Sequence, residues 1–184
     1  SSLPSHIVWE ALTAAALARS AGVEPGPIRE ALASFQGGHH RIELIDTVDG
    51  VAYVDDSKAT NAHAAKASLM GCHDSSVVWI AGGQPKGARF KELVGEIVGK
   101  LQAVIVIGTD QEPWHEALDG LALPVEWISP DSRAPMADAV KAASQHASAG
   151  STVLLAPASA SMDQFTSYAD RGQAFAEAVR GIRG

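Results

Sequence analysis

The chain has 184 residues, 46% of them hydrophobic and 19% charged, and a formal net charge of −7 at pH 7. Such a composition supports one sizeable folded core and excludes a disordered chain, and the acidic balance without a lysine- or arginine-rich run argues against a broad nucleic-acid-binding face. Cys72 is the single cysteine, so no intramolecular disulfide is expected, burial explains it better than nucleophilic chemistry, and a reducing cytoplasm is the expected compartment.

The chain opens "SSLPSHIVWE", without a methionine and without a basic stretch leading into an apolar core. That is no signal peptide, and no apolar run approaches the roughly 20 residues of a membrane span, so no membrane partner is expected. An amphipathic helix starts almost at once, and the expectation is a piece of a longer polypeptide. "HIVWEALTAAALARSA" (6–21) is rich in alanine and leucine and is stopped by Gly22. "PGPIREALASF" gives a second helix over 27–35, with Pro27 in its first turn. The two glycines of "QGGHH" then mark a domain boundary near Gly38.

From residue 39 the pattern changes. "RIELIDT" and "VAYVD" flank Asp49-Gly50 and predict a hairpin. Apolar runs follow at 77–81, 103–108, 125–128 and 152–156. They alternate with helical stretches expected near 61–72, 90–101, 111–119, 134–147 and 163–180. Unbroken Val/Ile runs suit strands covered on both faces, and the alternation suits right-handed βαβ crossovers. The fold expected is α/β: a Rossmann-like, doubly wound, mostly parallel sheet of about six strands with one antiparallel strand, preceded by a helix pair.

In such sheets ligands bind beyond the carboxyl ends of the strands. Three loops expected there are unusual: "DDSKATN" after "VAYV", "GGQPKG" after "VVWIA", and "PASASMDQF" after "TVLLA". Each has a plain explanation. Asp, Ser, Thr and Asn cap helices, Gly and Pro punctuate loops, and small residues fit tight turns. A lysine before a helix, however, works against the macrodipole by about 0.3–1 kcal/mol. Together the loops bring two lysines, several hydroxyls and glycine backbone to one edge, which suits a ligand rich in carboxylate or phosphate.

Other chemistries are disfavoured. There is no G-x-G-x-x-G after a strand, no G-x-S-x-G, no G-x-x-x-x-G-K-[ST] and no metal-binding histidine spacing. His40 adjoins Arg41, where a histidine is ordinarily structural or solvated but can also meet phosphate.

Three segments, "HHRIELI…VAYVDDSKATN", "IAGGQPKG" and "LLAPASASMDQFTSYADRG", together resemble the C-terminal part of the Mur ligases, in their D-glutamate-adding branch. The lysine of "DSKATN" is discriminating, because other Mur ligases and folylpolyglutamate synthases have histidine in the comparable loop. The resemblance implies that residues 1–38 are the helical tail of a central ATPase domain and 39–184 the C-terminal, D-glutamate-binding domain. It further implies an ATP-dependent, ADP-forming ligase that joins D-glutamate to UDP-N-acetylmuramoyl-L-alanine in peptidoglycan synthesis. The N-terminal domain and the rest of the central domain would lie outside this chain, together with most of the grip on ATP and Mg2+. The fragment alone would be inactive.

By the same resemblance Lys58 and Lys86 are the catalytic candidates. Lys58, Thr60, Lys86, Ser161, Met162 and Tyr168 correspond to the D-glutamate grip, and Arg41, Asp56 and His40 to ATP contacts; no metal ligand is implied here. Ser159 replaces a cysteine common in that loop and is expected only to pack. Ile7 and Glu10 stand where the family's central-domain helix carries asparagines facing adenine, so no adenine contact is implied for this segment. The rival reading is a non-catalytic α/β module that binds a nucleotide or amino acid. If the helix pair has lost the domain it completes, Ile7, Trp9, Leu12 and Leu17 need cover from a neighbouring chain or by folding back on their own domain.

Overall fold

A computed structural model describes residues 5–34 and 38–183, with the side chains of the first helix from Val8 onward. The chain divides into two compact units, residues 1–38 and 39–184. The first holds α1 (Ser5–Ser20) and α2 (Pro25–Ser34), which pack against each other across a turn containing Gly22 at φ 83°. The second helix starts two residues earlier than expected, and its expected last residue, Phe35, lies outside the described residues. Trp9, Leu12 and Leu17 are 70%, 55% and 66% exposed, so the cover expected for them does not come from within this pair; the side chain of Ile7 lies outside those described.

The second unit is a six-stranded sheet in the order β1-β2-β6-β3-β4-β5. Its strands are β1 (Glu43–Val48), β2 (Val51–Asp55), β3 (Val77–Gly82), β4 (Leu101–Ile107), β5 (Val125–Trp127) and β6 (Thr152–Leu155). Only β1 and β2 pair antiparallel; every other neighbouring pair is parallel. The hairpin turns at Asp49 and Gly50, whose φ of 51° and 78° give the left-handed pair that a two-residue turn requires.

Because successive strand residues face opposite sides, the sheet has two cores. Val77, Trp79 and Ala81 pack under α3 (Ala62–Met70), α4 (Lys91–Ile97) and α5 (Glu112–Leu118). Val78 and Ile80 pack under α6 (Pro135–His146) and α7 (Tyr168–Gly181). The expected doubly wound fold is therefore present, and among the described residues no helix is long and apolar enough to cross a membrane.

The largest boundary error is at α7, which begins at Tyr168 rather than near 163. Ser167 is extended, and its hydroxyl accepts the Asp170 N–H at 3.0 Å, so the cap sets the start of the helix. Residues 161–167 are thereby left as loop over the sheet edge.

Candidate functional site

The loop leaving β2 is buried where an ordinary helix cap would be solvated. Asn61 alone does the capping, its Oδ1 accepting the Ala64 N–H at 3.0 Å. Asp55, Asp56 and Ser57 are all buried polar residues, and buried polar groups need partners. Asp55 accepts the Ser57 N–H through Oδ1 at 2.8 Å and meets His40 Nδ1 through Oδ2 at 2.6 Å. Ser57 Oγ donates to the Tyr168 carbonyl at 2.8 Å and accepts from Arg171 Nε at 2.9 Å. The Ser68 hydroxyl of α3 donates to Asp56 Oδ2.

Arg171 ties these loops together. It is wholly buried on the core stripe of α7, and it also donates from one terminal nitrogen to Ser57 O (2.9 Å) and from the other to Ser159 O (3.1 Å). Burial pulls its pKa down to about 10, against the pull of Asp163 and Asp55, so it stays charged near neutral pH.

Backbone bonds complete the junction. Ala158 N donates to Ala59 O at 2.9 Å, joining the loops after β6 and β2. Gln84 and Ala160 exchange two bonds, of 2.8 and 3.1 Å, joining the loops after β3 and β6. The loop after β4 enters through Gly108 N to Gln164 Oε1 (2.8 Å) and Thr109 N to Asp163 Oδ2 (3.0 Å). Close packing explains the glycines: a Cβ on Gly83 would come closer than 3.0 Å to Ala160 O, and one on Gly108 would lie 2.6 Å from Gly83 N.

The candidate residues fall into two groups. Lys58, part-buried, holds its ammonium 3.8 Å above the Tyr168 ring centroid. His40 is the third member, its ring 6.3 Å from that of Tyr168 and its carbonyl accepting the Lys58 N–H at 3.1 Å. Asp56, two residues before Lys58, is buried. Burial lifts its pKa to about 6, although the Ser68 hydroxyl and the Ile42 N–H both favour the carboxylate. Ser161 is buried, Thr60 is part-buried and Met162 is 62% exposed. Lys86 is exposed, on left-handed backbone at φ 51°, and Arg41 is exposed as well. Their side chains are not drawn into the buried junction; Lys86 joins it only through the backbone of its loop. Among the described residues neither Lys58 nor Lys86 has a carboxylate partner. The edge therefore offers two uncommitted cations to an anionic ligand.

Sequence reasoning missed Asp55, Ser57 and Arg171. The signal for Arg171 was its spacing: residues 171, 175 and 179 form one buried stripe, so a cation lies at a core position. It also missed that the donor atoms of His40, Glu43 and Asp55 lie within 4.8 Å of one another. Two of them already pair, His40 Nδ1 with Asp55 Oδ2 at 2.6 Å, and Glu43 Oε2 accepts the His40 backbone N–H at 2.9 Å. Ser159, expected to pack, is buried with an unpartnered hydroxyl.

A family model described as "Mur ligase, glutamate ligase domain" matches residues 40–159. The chain is 52% identical over 181 residues to the UDP-N-acetylmuramoylalanine--D-glutamate ligase of Thermobifida fusca, covering 97% of this chain and 38% of that protein. To the ligase of the same name from Streptomyces avermitilis it is 50% identical over 179 residues, 96% of this chain and 38% of the relative. The chain thus spans less than half the length of these relatives. Among solved structures, a murein peptide ligase from Psychrobacter arcticus aligns with a TM-score of 0.56 at 22% identity, over 86% of this chain and 35% of that one. A folylpolyglutamate synthase from Thermotoga maritima aligns at 0.50 and 19%, over 74% and 31%. These two show a shared fold alone. The family match covers most of the second unit, including the loops after β2 and β3 and the first residues of the loop after β6: this chain belongs to the Mur ligase family.

Proposed function

We propose that the chain is the C-terminal part of a cytoplasmic, ATP-dependent ligase that adds D-glutamate to UDP-N-acetylmuramoyl-L-alanine for peptidoglycan. The observation that carries this reading is the pair of uncommitted lysines, Lys58 and Lys86, on loops knitted into one edge of the sheet. A dicarboxylic amino acid presents the complementary charges. Residues 1–38 would be the tail of the central ATPase domain and 39–184 the D-glutamate-binding domain.

In the reaction the substrate carboxylate attacks the γ-phosphorus of ATP, releasing ADP and forming an acyl phosphate. The D-glutamate amine then attacks the acyl carbon, losing a proton as the amide forms and inorganic phosphate leaves. Negative charge collects on the tetrahedral oxygen, and a fixed ammonium in a closed cleft stabilises it there. Lys58 has that role, because the Tyr168 ring already holds its head in place. Lys86, Thr60, Ser161 and the backbone at Met162 and Tyr168 grip the two carboxylates. Arg41, His40 and Asp56 face the nucleotide from this side. ATP and Mg2+ are held mainly by the part of the enzyme outside this chain, where Mg2+ would offset phosphate charge.

Lys58→Ala or Lys86→Ala in the whole enzyme removes charge-assisted hydrogen bonds worth about 1.5–3 kcal/mol each, so activity or D-glutamate KM should worsen roughly 10- to 100-fold. Near-normal steady-state kinetics for both variants would overturn the assignment and favour a non-catalytic binding module. The isolated chain should bind D-glutamate weakly and should not hydrolyse ATP.

A further inference from the structure

Asp55 has no place in the resemblance, yet its surroundings are built around it. It ends β2 with no exposure, where a carboxylate is costly unless each oxygen has a donor. Each does: Oδ1 takes the Ser57 N–H at 2.8 Å and Oδ2 takes His40 Nδ1 at 2.6 Å. Burial pushes the Asp55 pKa up, while the His40 and Ser57 hydrogen bonds favour the carboxylate; ionised, it only accepts, so a proton sits on His40 Nδ1 and Nε2 is the ring nitrogen left to face a ligand.

The rest of His40 is pinned as firmly. Its backbone is left-handed at φ 63°, its N–H donates to Glu43 Oε2 at 2.9 Å, and its carbonyl accepts from Lys58 N at 3.1 Å. Opposite the ring stands Gly172, on the buried face of α7. A Cβ there would come closer than 3.0 Å to both His40 Nδ1 and the ring carbon between its nitrogens. No larger residue at 172 is compatible with the pair as it stands. Ring, Tyr168 and Lys58 then follow one another along the sheet edge.

The geometry points to Asp55 as a positioning residue of the ligation site: it holds the His40 ring by Nδ1 so that Nε2, as the second N–H of the imidazolium, donates to phosphoryl or tetrahedral oxygens beside Lys58. The assignment rests on the ligase function proposed above, because that function supplies the oxygens. Asp55 itself touches no substrate and acts through the ring, as the buried aspartate of a hydrolase triad does.

The test is a double-mutant cycle in the whole enzyme. Asp55→Asn keeps the size but cannot accept from both Ser57 N and His40 Nδ1 through two oxygens. It should lower kcat about 10- to 100-fold, by analogy with the range found when the outer partner of a metal-ligating histidine is removed, and change D-glutamate KM by less than about threefold. In a His40→Ala background the same substitution should add less than about threefold, because the residue through which it acts is gone. A loss that multiplies in full onto His40→Ala marks a merely structural role and overturns the assignment. So does an Asp55→Asn enzyme within about threefold of the parent.

If Asp55→Asn does not fold, histidine ring-nitrogen NMR of the intact parent protein decides the matter. A protonated, hydrogen-bonded Nδ1 at His40 supports the pair, and a ring protonated at Nε2 alone overturns it. If the parent enzyme ligates no D-glutamate, the ligase function has failed, and the ring spectrum still tests the pair separately.

Discussion

The loops after β2 and β3 each bring a lysine to the carboxyl edge of the sheet, and the fold treats them differently. In the first, Asp55, Asp56 and Ser57 are buried, Arg171 ties Ser57 to Ser159, and Lys58 lies on the Tyr168 ring. In the second, the base is fastened by Gly82 N to Pro157 O (2.9 Å) and by the Gln84–Ala160 bonds, but the tip at Lys86 is exposed. The difference separates a cation placed before the ligand arrives from one whose backbone alone is placed. Ordering a free lysine side chain on binding costs up to about 2 kcal/mol, and the Lys58 loop has met that cost during folding.

Arg171→Met gives the largest expected break in this contrast. It leaves the Ser57 and Ser159 carbonyls without their buried donor, at about 1–3 kcal/mol each, and should cost about 2–6 kcal/mol in urea unfolding. A loss below about 1 kcal/mol would mean that the first loop holds its shape without the arginine, and the two loops would then be alike in stability.

Next comes pH, through Asp56. Its pKa is about 6 in the fold against an ordinary 3.8, so the fold favours the protonated acid. The stability this supplies is complete below about pH 4 and is lost as pH rises through about 6. Asp56→Asn should therefore gain, relative to the parent, on the order of 2–3 kcal/mol more at pH 7.5 than at pH 4. Unfolding midpoints at the two pH values measure this, and an unchanged difference would show that the first loop bears no burial cost at that carboxylate.

The smallest effects sharpen the lysines themselves. Lys58→Met should lower stability by about 0.5–1 kcal/mol through loss of the ammonium–ring contact, and Lys86→Met should stay within about 0.5 kcal/mol. Equal thermal shifts would erase the distinction between a placed and an unplaced cation.

Much of the frame was legible in sequence because it depends on local periodicity. The Val/Ile runs gave all four later strands, Asp49-Gly50 gave the hairpin, and the carboxyl-end rule placed three loops on one edge. What escaped depends on pairs far apart in the chain, such as Ser57 with Arg171, 114 residues away, which no local pattern displays. The α7 boundary is a different failure. The spacing Ser167-x-x-Asp170 is a capping signature, and it was overlooked in favour of a longer helical stretch. For Lys86, composition identified a cation at the edge but could not show that it would be left loose. Freedom of that kind reflects the absence of neighbours, which sequence does not record.

The interlock of Gly83 and Gly108 has a consequence for anyone redesigning this edge. With a Cβ at 108 falling 2.6 Å from Gly83 N, the turns after β3 and β4 are not modular. Transplanting "GGQPKG" into another scaffold means carrying a glycine on the adjacent strand's exit as well. In any lineage that diversifies one turn, the other becomes a fixed partner, inherited with it.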